Sequence, residues 1–437
     1  MLTPRSTGIE QWSSPSTLAK CASHWPVGPL GGKHGLPKPG NLSNCINDLT
    51  QHGEFETEGA WCSTLYTVML KPLAPMAISS ILWYQGENNV CKEEWDGTNN
   101  ASYCPPTTGA EFYNCAMKAL ITDWRALFQP AQYAASEPEL PFLQAMLDGF
   151  ASCSCTRHDP CVPPQPDVCD NCRPTSNFAT IRAAQAAAAA ATNSTLVVNF
   201  DLGTLNSASA RIHSPRKAPL AARFHRHLSN LLYGRAVVTT GPVLLNASAT
   251  NVARDGSSTD ALRFNGSGVS GQHLHGTAGC IGGYNFSTGK HGAPIVGFRC
   301  CDTSPFFVRF STRAEWVRHP ANSTVIRGQT VTLLNVVPPS SATSGEEAAA
   351  IVVGLRYAWE AYPNCGLYNG AEPTTGPVAG GDSVYGGIEP GCNRKPGPGD
   401  SWSGIAPECV YVGDSLPASP FEVALPFTGS MRRVGDR

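Results

Sequence analysis

Apolar residues along the first half of the chain alternate between two spacings. Ala77 to Tyr84 (AISSILWY) is a short apolar run that ends at Gln85-Gly86, and Pro141 to Leu147 (PFLQAML) and Thr195 to Asp201 (TLVVNFD) are of similar length. Short apolar runs bounded by Gly, Pro or polar residues predict buried strands of a parallel sheet. Between them the spacing turns helical: Phe112, Cys115, Ala116, Ala119, Leu120, Trp124 and Leu127 share one face of a helix over Glu111 to Phe128. Ala179 to Ala191 is almost all alanine, the strongest helix former, and Asn193 closes it. Lys217 to Tyr233 is an amphipathic helix stopped by Gly234. Strand, helix, strand, helix, strand, loop, helix is α/β order with parallel strands.

Near Arg235 the pattern changes. Short alternating runs at Ala236–Leu245, Ala261–Phe264, Phe306–Phe310, Thr330–Val337 and Ile351–Trp359 are split by Gly, Ser and Thr, which predicts an all-β module of sandwich or jelly-roll type. We therefore expect two units, residues 1–235 and 236–437, the second with a Gly/Pro-rich tail from Gly366 that holds few strands. Residues 1–60 show little periodicity beyond the stretch around Ile9 and Trp12, and an apolar run from Leu65 to Leu73 stops at Pro72 and Pro75. Five cysteines (153, 155, 161, 169 and 172) lie among prolines over residues 151–177, an insertion that needs cross-links to be ordered.

Composition narrows the setting. A formal net charge of -2 points to no polyanionic partner, so no nucleic acid is expected, and no apolar run is long enough to span a membrane. The 17 cysteines exceed what a reduced cytosolic enzyme carries, and seven Asn-X-Ser/Thr sequons begin at Asn41, Asn100, Asn193, Asn246, Asn265, Asn285 and Asn322. Both favour the secretory pathway, with an extracellular or lysosomal destination. The first residues, MLTPRST, have no apolar core of a signal peptide, so a leader is expected upstream.

Candidate chemistry begins at Trp83-Tyr84-Gln85-Gly86-Glu87-Asn88-Asn89. A strand ending there places an amide and a carboxylate at the carboxyl edge of a sheet, where open α/β folds bind ligands. Gln85, Gly86 and Glu87 are thus candidates for oxyanion or substrate binding, and a solvated turn is the alternative. His213 precedes a helix and follows the strand bearing Asp201, which suits a general base with a carboxylate to orient it; most of the 11 histidines would instead be surface or packing residues. The chain has no Gly-X-Ser-X-Gly. Its Gly413-Asp414-Ser415-Leu416 and Gly381-Asp382-Ser383 lack a following helix and are read as decoys. Cys153-X-Cys155 and Cys169-X-X-Cys172, with His158 between, have zinc-like spacing, but disulfides are favoured and neither metal nor cofactor is expected.

Several of these segments, in order, resemble the sialate O-acetylesterase family of SGNH-type hydrolases. Ile9-Glu10-Gln11-Trp12-Ser13-Ser14 resembles the family's Ile-Glu-Ala-Trp-Ser-Ser, and Trp83 to Asn89 is similar to Trp-Tyr-Gln-Gly-Glu-Ser-Asn, with Asn88 in place of Ser. Asp123-Trp124-Arg125, Ile181-Arg182-Ala183-Ala184-Gln185, and Ile212-His213 with Lys217 match further elements, although Ser214 stands where the family has Pro. Leu355 to Trp359 and Leu416 to Phe421 look like its C-terminal segments.

The resemblance implies an SGNH-hydrolase-like parallel sheet, incomplete at its N-terminus, followed by the β-rich module, and hydrolysis of O-acetyl esters on a sugar or glycan. It implies His213 as general base, Asp201 as a tentative acid partner, and Gln85 and Gly86 near the oxyanion. The family's nucleophilic Ser belongs to a Gly-Gln-Ser-Asn block that this sequence lacks, so the nucleophile is expected upstream of Met1. Two alternatives stay open: a non-catalytic, secreted carbohydrate-binding glycoprotein, and an esterase for acetylated polysaccharide.

Overall fold

The structure, a computed structural model, describes residues 8–24, 63–90, 108–128, 139–149, 178–202 and 217–249, and shorter stretches between 259 and 428. The Cys-rich insertion, His158, His213, Cys300-Cys301, Gly381 to Ser383 and Ser415 lie outside the described residues.

Three short strands, β1 (Ile81–Trp83), β2 (Phe142–Ala145) and β3 (Thr195–Val197), form a parallel sheet in the order β1-β2-β3. Side chains alternate across its two faces, and both faces are covered. Ile81, Trp83 and Phe142 pack with the long helices α3 (Thr108–Phe128) and α4 (Phe178–Thr192) through Phe112, Ala116, Leu120, Trp124, Ile181 and Ala188. Leu143, Ala145 and Val197 face the other way, onto Leu220 and Phe224 of α5 (Lys217–Tyr233). A sheet buried on both sides explains why these strands read as unbroken apolar runs. The run from Thr195 does not stay extended to Asp201; after Val197 it turns into a 3-10 turn at Phe200–Leu202. The side chain of Asn199 is hydrogen-bonded to Asp148 and Phe200 packs into a second core, which bends the chain away from the ladder.

Two short helices, α1 (Ile9–Trp12) and α2 (Pro15–Lys20), lie against α3. Ser14 caps α2 by accepting the Thr17 N–H, with Pro15 at the first turn. The sequence pattern did not announce α2, though Ser-Pro before an apolar pair is a helix start. Trp12, Trp83 and Trp124 meet edge to face, with centroids 6.0 Å (Trp12–Trp83) and 5.3 Å (Trp83–Trp124) apart. Cys21 and Cys115 form a disulfide that fastens the end of α2 to α3. Arg125 donates to the carbonyls of Leu140, Thr192 and Asn193, closing the C-terminal end of α4, where Asn193 takes a positive φ.

From Val243 onward the structure is antiparallel. One sheet runs β11 (Thr324–Arg327), β12 (Thr330–Leu334), β5 (Thr259–Asn265), β4 (Val243–Ala249), β16 (Phe427–Thr428). The other runs β10 (Trp316–Arg318), β9 (Phe306–Phe310), β13 (Val352–Tyr357), β15 (Phe421–Ala424). Two further pairs of two-residue strands are β6 (His275–Gly276) with β14 (Leu367–Tyr368), and β7 (Tyr284–Asn285) with β8 (Lys290–His291). Inward residues of both large sheets, among them Leu244, Phe306, Val308, Leu333, Leu355, Tyr357 and Phe421, share one core. Met146, Leu196 and Phe200 of the α/β layer join that core, and Phe200 meets Tyr357 edge to face at 6.4 Å. The tail thus supplies a full member of a sheet in β15, although its Gly/Pro-rich surroundings hide it from pattern reading.

Candidate active site at the carboxyl edge of the parallel sheet

The chain leaves β1 at Trp83 and turns back within a few residues. Gly86 makes that turn at φ 149°, a region closed to side-chain-bearing residues, and a Cβ there would press on the Leu147 side chain at 3.0 Å. Glu87–Asn89 form a 3-10 turn closed by the Asn89 N–H on the Gly86 carbonyl at 3.0 Å.

The Gln85 side chain points inward, and the residue is only 6% exposed. Its Nε2 donates to Asn89 Oδ1 at 2.6 Å, and the same oxygen accepts the Ile9 N–H at 2.8 Å. Asn89 Nδ2 in turn donates to Glu10 Oε2 at 2.9 Å. Burial raises the pKa of Glu10, and the bond from Asn89 opposes that. The Gln85 carbonyl accepts from Tyr113 at 3.0 Å and from Gln185 at 3.2 Å. A polar brace from three parts of the chain thus holds the turn, while Glu87 is half-buried and Asn88 exposed.

The second strand ends in a carboxyl group that sequence reading did not single out. Asp148 is 4% exposed; it accepts hydrogen bonds from the Tyr84 hydroxyl through Oδ2 and from Asn199 Nδ2 through Oδ1. Arg182, fully buried on α4, donates to the carbonyls of Leu147 and Asp148 at 3.0 and 3.2 Å and fixes the backbone there. Burial pushes the Asp148 carboxyl up to about 7; the Tyr84 hydroxyl and Lys217 oppose this, and Glu87 and Asp201 add to it. The Lys217 ammonium stands 4.0 Å from the centroid of the Tyr84 ring, a cation–π contact, at the first turn of α5. Burial lowers the Lys217 pKa, against the pull of Asp148 and Glu87. Burial also holds the Tyr84 phenol well above its ordinary value, aided by the charges of Asp148 and Glu87.

Asp201, after β3, is gripped by Arg223 through both oxygens at 2.7 Å, and both side chains are buried. Gln85, Gly86, Glu87 and Asp201 therefore all stand at the carboxyl ends of the strands, with Tyr84, Asp148, Asn199 and Lys217 between them. A carboxylate just past an apolar strand is the signal already present at Glu87 and Asp201, and it would have found Asp148. Among the described residues no three His, Cys, Asp or Glu side chains converge as a metal site.

These features define an α/β protein with a polar site at the carboxyl edge of a parallel sheet. No protein-family model matches the chain. It is 28% identical over 137 residues to the human sialate O-acetylesterase, covering 31% of this chain and 19% of that enzyme. It is 25% identical over 182 residues to the rat sialate O-acetylesterase, covering 41% and 28%. The match therefore spans 19% to 28% of the length of these curated relatives. The crystal structure of a carbohydrate acetylesterase from Xanthomonas citri aligns with 96% of this chain and 59% of its own, at 19% identity and a TM-score of 0.47. Over these stretches the chain is similar to the sialate O-acetylesterases, at low identity and over part of its length.

Proposed function

We propose that this chain serves the hydrolysis of O-acetyl esters on carbohydrate, most like a sialate O-acetylesterase, with the reaction at the carboxyl edge of the parallel sheet. The observation that carries the reading is the braced turn at Gln85-Gly86-Glu87, the segment that most resembles the family. In this reading residues 1–235 carry the esterase unit and 236–437 the β module. His213 is the general base, and Asp201, held by Arg223, orients it. The turn around Gln85 and Gly86 lies beside the developing oxyanion, and one backbone or side-chain donor there is worth about 2.7–4 kcal/mol in acyl transfer. In the family the attacking hydroxyl belongs to the Gly-Gln-Ser-Asn block, which this sequence does not contain. A disulfide between Cys21 and Cys115 suits an oxidising, secretory compartment. No described helix is long and apolar enough to cross a membrane.

The test is hydrolysis of para-nitrophenyl acetate and of O-acetylated sialic acid by the expressed chain supplied with a Gly-Gln-Ser-Asn block, with His213→Ala beside it. Turnover that His213→Ala abolishes supports the esterase. Absence of turnover by the chain so supplied favours the carbohydrate-binding reading, and turnover indifferent to His213→Ala removes the assigned base. Faster release of acetate from acetylated xylan than from the sialic acid would move the substrate to polysaccharide.

A further inference from the structure

Two polar systems meet at the carboxyl edge, and only one is explained by holding the turn. Glu10, Asn89 and Gln85 brace the backbone. Asp148 does something different, because the groups it holds are side chains just past the ends of β1 and β3. Its Oδ2 accepts the hydroxyl of Tyr84, which is half-buried. The opposite end of that contact is the exposed Lys217, seated 4.0 Å over the ring. Asn199, fully buried, donates to the other oxygen, and its own Oδ1 has no hydrogen-bond partner. An amide so placed can donate to a carboxylate, or after a flip accept from a carboxylic acid.

We infer that Asp148 is a positioning residue of the sheet-edge site, which anchors the Tyr84 phenol and through its ring the Lys217 ammonium where an acylated sugar would bind. This rests on the esterase reading for the identity of the ligand, though not for the anchoring itself. An aromatic ring with a cation at its edge suits the apolar face and hydroxyls of a sugar. Among the described residues the charged groups around Asp148 are Glu87 after β1, Arg182 on α4, Asp201 with Arg223 after β3, and Lys217 on α5. Because burial outweighs the cations, the carboxyl changes its proton near neutral pH. Tyr84 then donates to a charged acceptor on the alkaline side and to a neutral one on the acid side, and a charged acceptor binds a phenol more strongly.

Near-UV difference spectra of the full chain against its Tyr84→Phe variant, taken across the neutral range, test this. One tyrosine shift centred close to pH 7 is expected, and Asp148→Asn is expected to remove it. No shift in the unaltered chain, or one that survives in Asp148→Asn, overturns the inference. Should Asp148→Asn fail to fold, Lys217→Met at its exposed position decides: loss of the opposing ammonium moves the shift to higher pH, and an unmoved shift overturns the anchoring. In para-nitrophenyl acetate hydrolysis Asp148→Asn lowers kcat/KM by roughly ten- to a hundredfold and flattens its neutral pH limb, as a misplaced binding group does. An unchanged rate and profile overturn the positioning role. A chain without turnover defeats the esterase reading alone, since the spectral shift still judges Asp148.

Discussion

The two halves of the molecule bury polar groups on very different scales. In the α/β half Glu10, Gln85, Gln144, Asp148, Arg182, Gln185, Asn199 and Arg223 are all out of solvent, and most are joined by hydrogen bonds that span long stretches of sequence. In the β half, among the described residues, the buried polar side chains are His319 and Thr324, and the core is Phe, Val, Leu, Ala and one Tyr. Burying a polar group costs stability unless it is fully paired, whereas an apolar core stabilises with no such condition. A chain that can build the second kind of core but builds the first at one sheet edge is holding groups in place there. The β half supports that edge: Phe200, two residues past Asn199, is packed into its core.

The sharpest way to break this contrast is the buried ion pair. Arg223→Met removes the bidentate partner of the buried Asp201 side chain, and the loss is expected to be about 3–5 kcal/mol in urea denaturation. A cost no larger than that of a single hydrogen bond in the β half would show that the two halves do not differ. The pH dependence of stability comes next. The folded pKa of Asp148 lies above its unfolded value, so the contribution is complete at acid pH, falls as pH rises from near 3.8 through about 7, and is level beyond. Its full size is at most about 4 kcal/mol. Thermal melting across this range should show the fall, and Asp148→Asn should remove it and melt no lower than the unaltered chain above neutrality.

Reduction of Cys21–Cys115, which closes a separation of 94 residues, is expected to cost about 2–4 kcal/mol by melting with and without reductant. The smallest effect belongs to the β half. Tyr357→Phe removes the hydroxyl that accepts the Leu367 N–H at 2.6 Å and should cost about 1–3 kcal/mol with acetyl-ester turnover unchanged. A fall in turnover there would mean that the β half shapes the site as well as supporting it.

Much of the architecture could be read from spacing. The helix Lys217–Tyr233 has the predicted bounds, and Gly234 follows it at φ 62°, as a helix stop requires. The three parallel strands fall inside the three apolar runs, since both faces of that sheet are buried. What could not be read depends on distance along the chain. Phe421–Ala424 becomes a strand because β13 offers it a partner more than 60 residues away, as in the pairing of Tyr357 with Phe421. Asp148 and Tyr84 look like an ordinary surface acid and an ordinary aromatic until the fold brings them together across 64 residues.

Local pattern thus determined where helices and strands form and that their apolar faces would be covered, because periodicity and caps act over a few residues. It also marked Gln85, Gly86, Glu87 and Asp201 as strand-end groups. Tertiary structure alone decided that Asn89, which takes the Gln85 amide, is tied to Ile9 and Glu10, that Asp201 is held by Arg223, and that Asp148 carries the Tyr84 hydroxyl. Those outcomes follow from desolvation and from partners 22 to 80 residues distant, and neither is written in any short window of the chain.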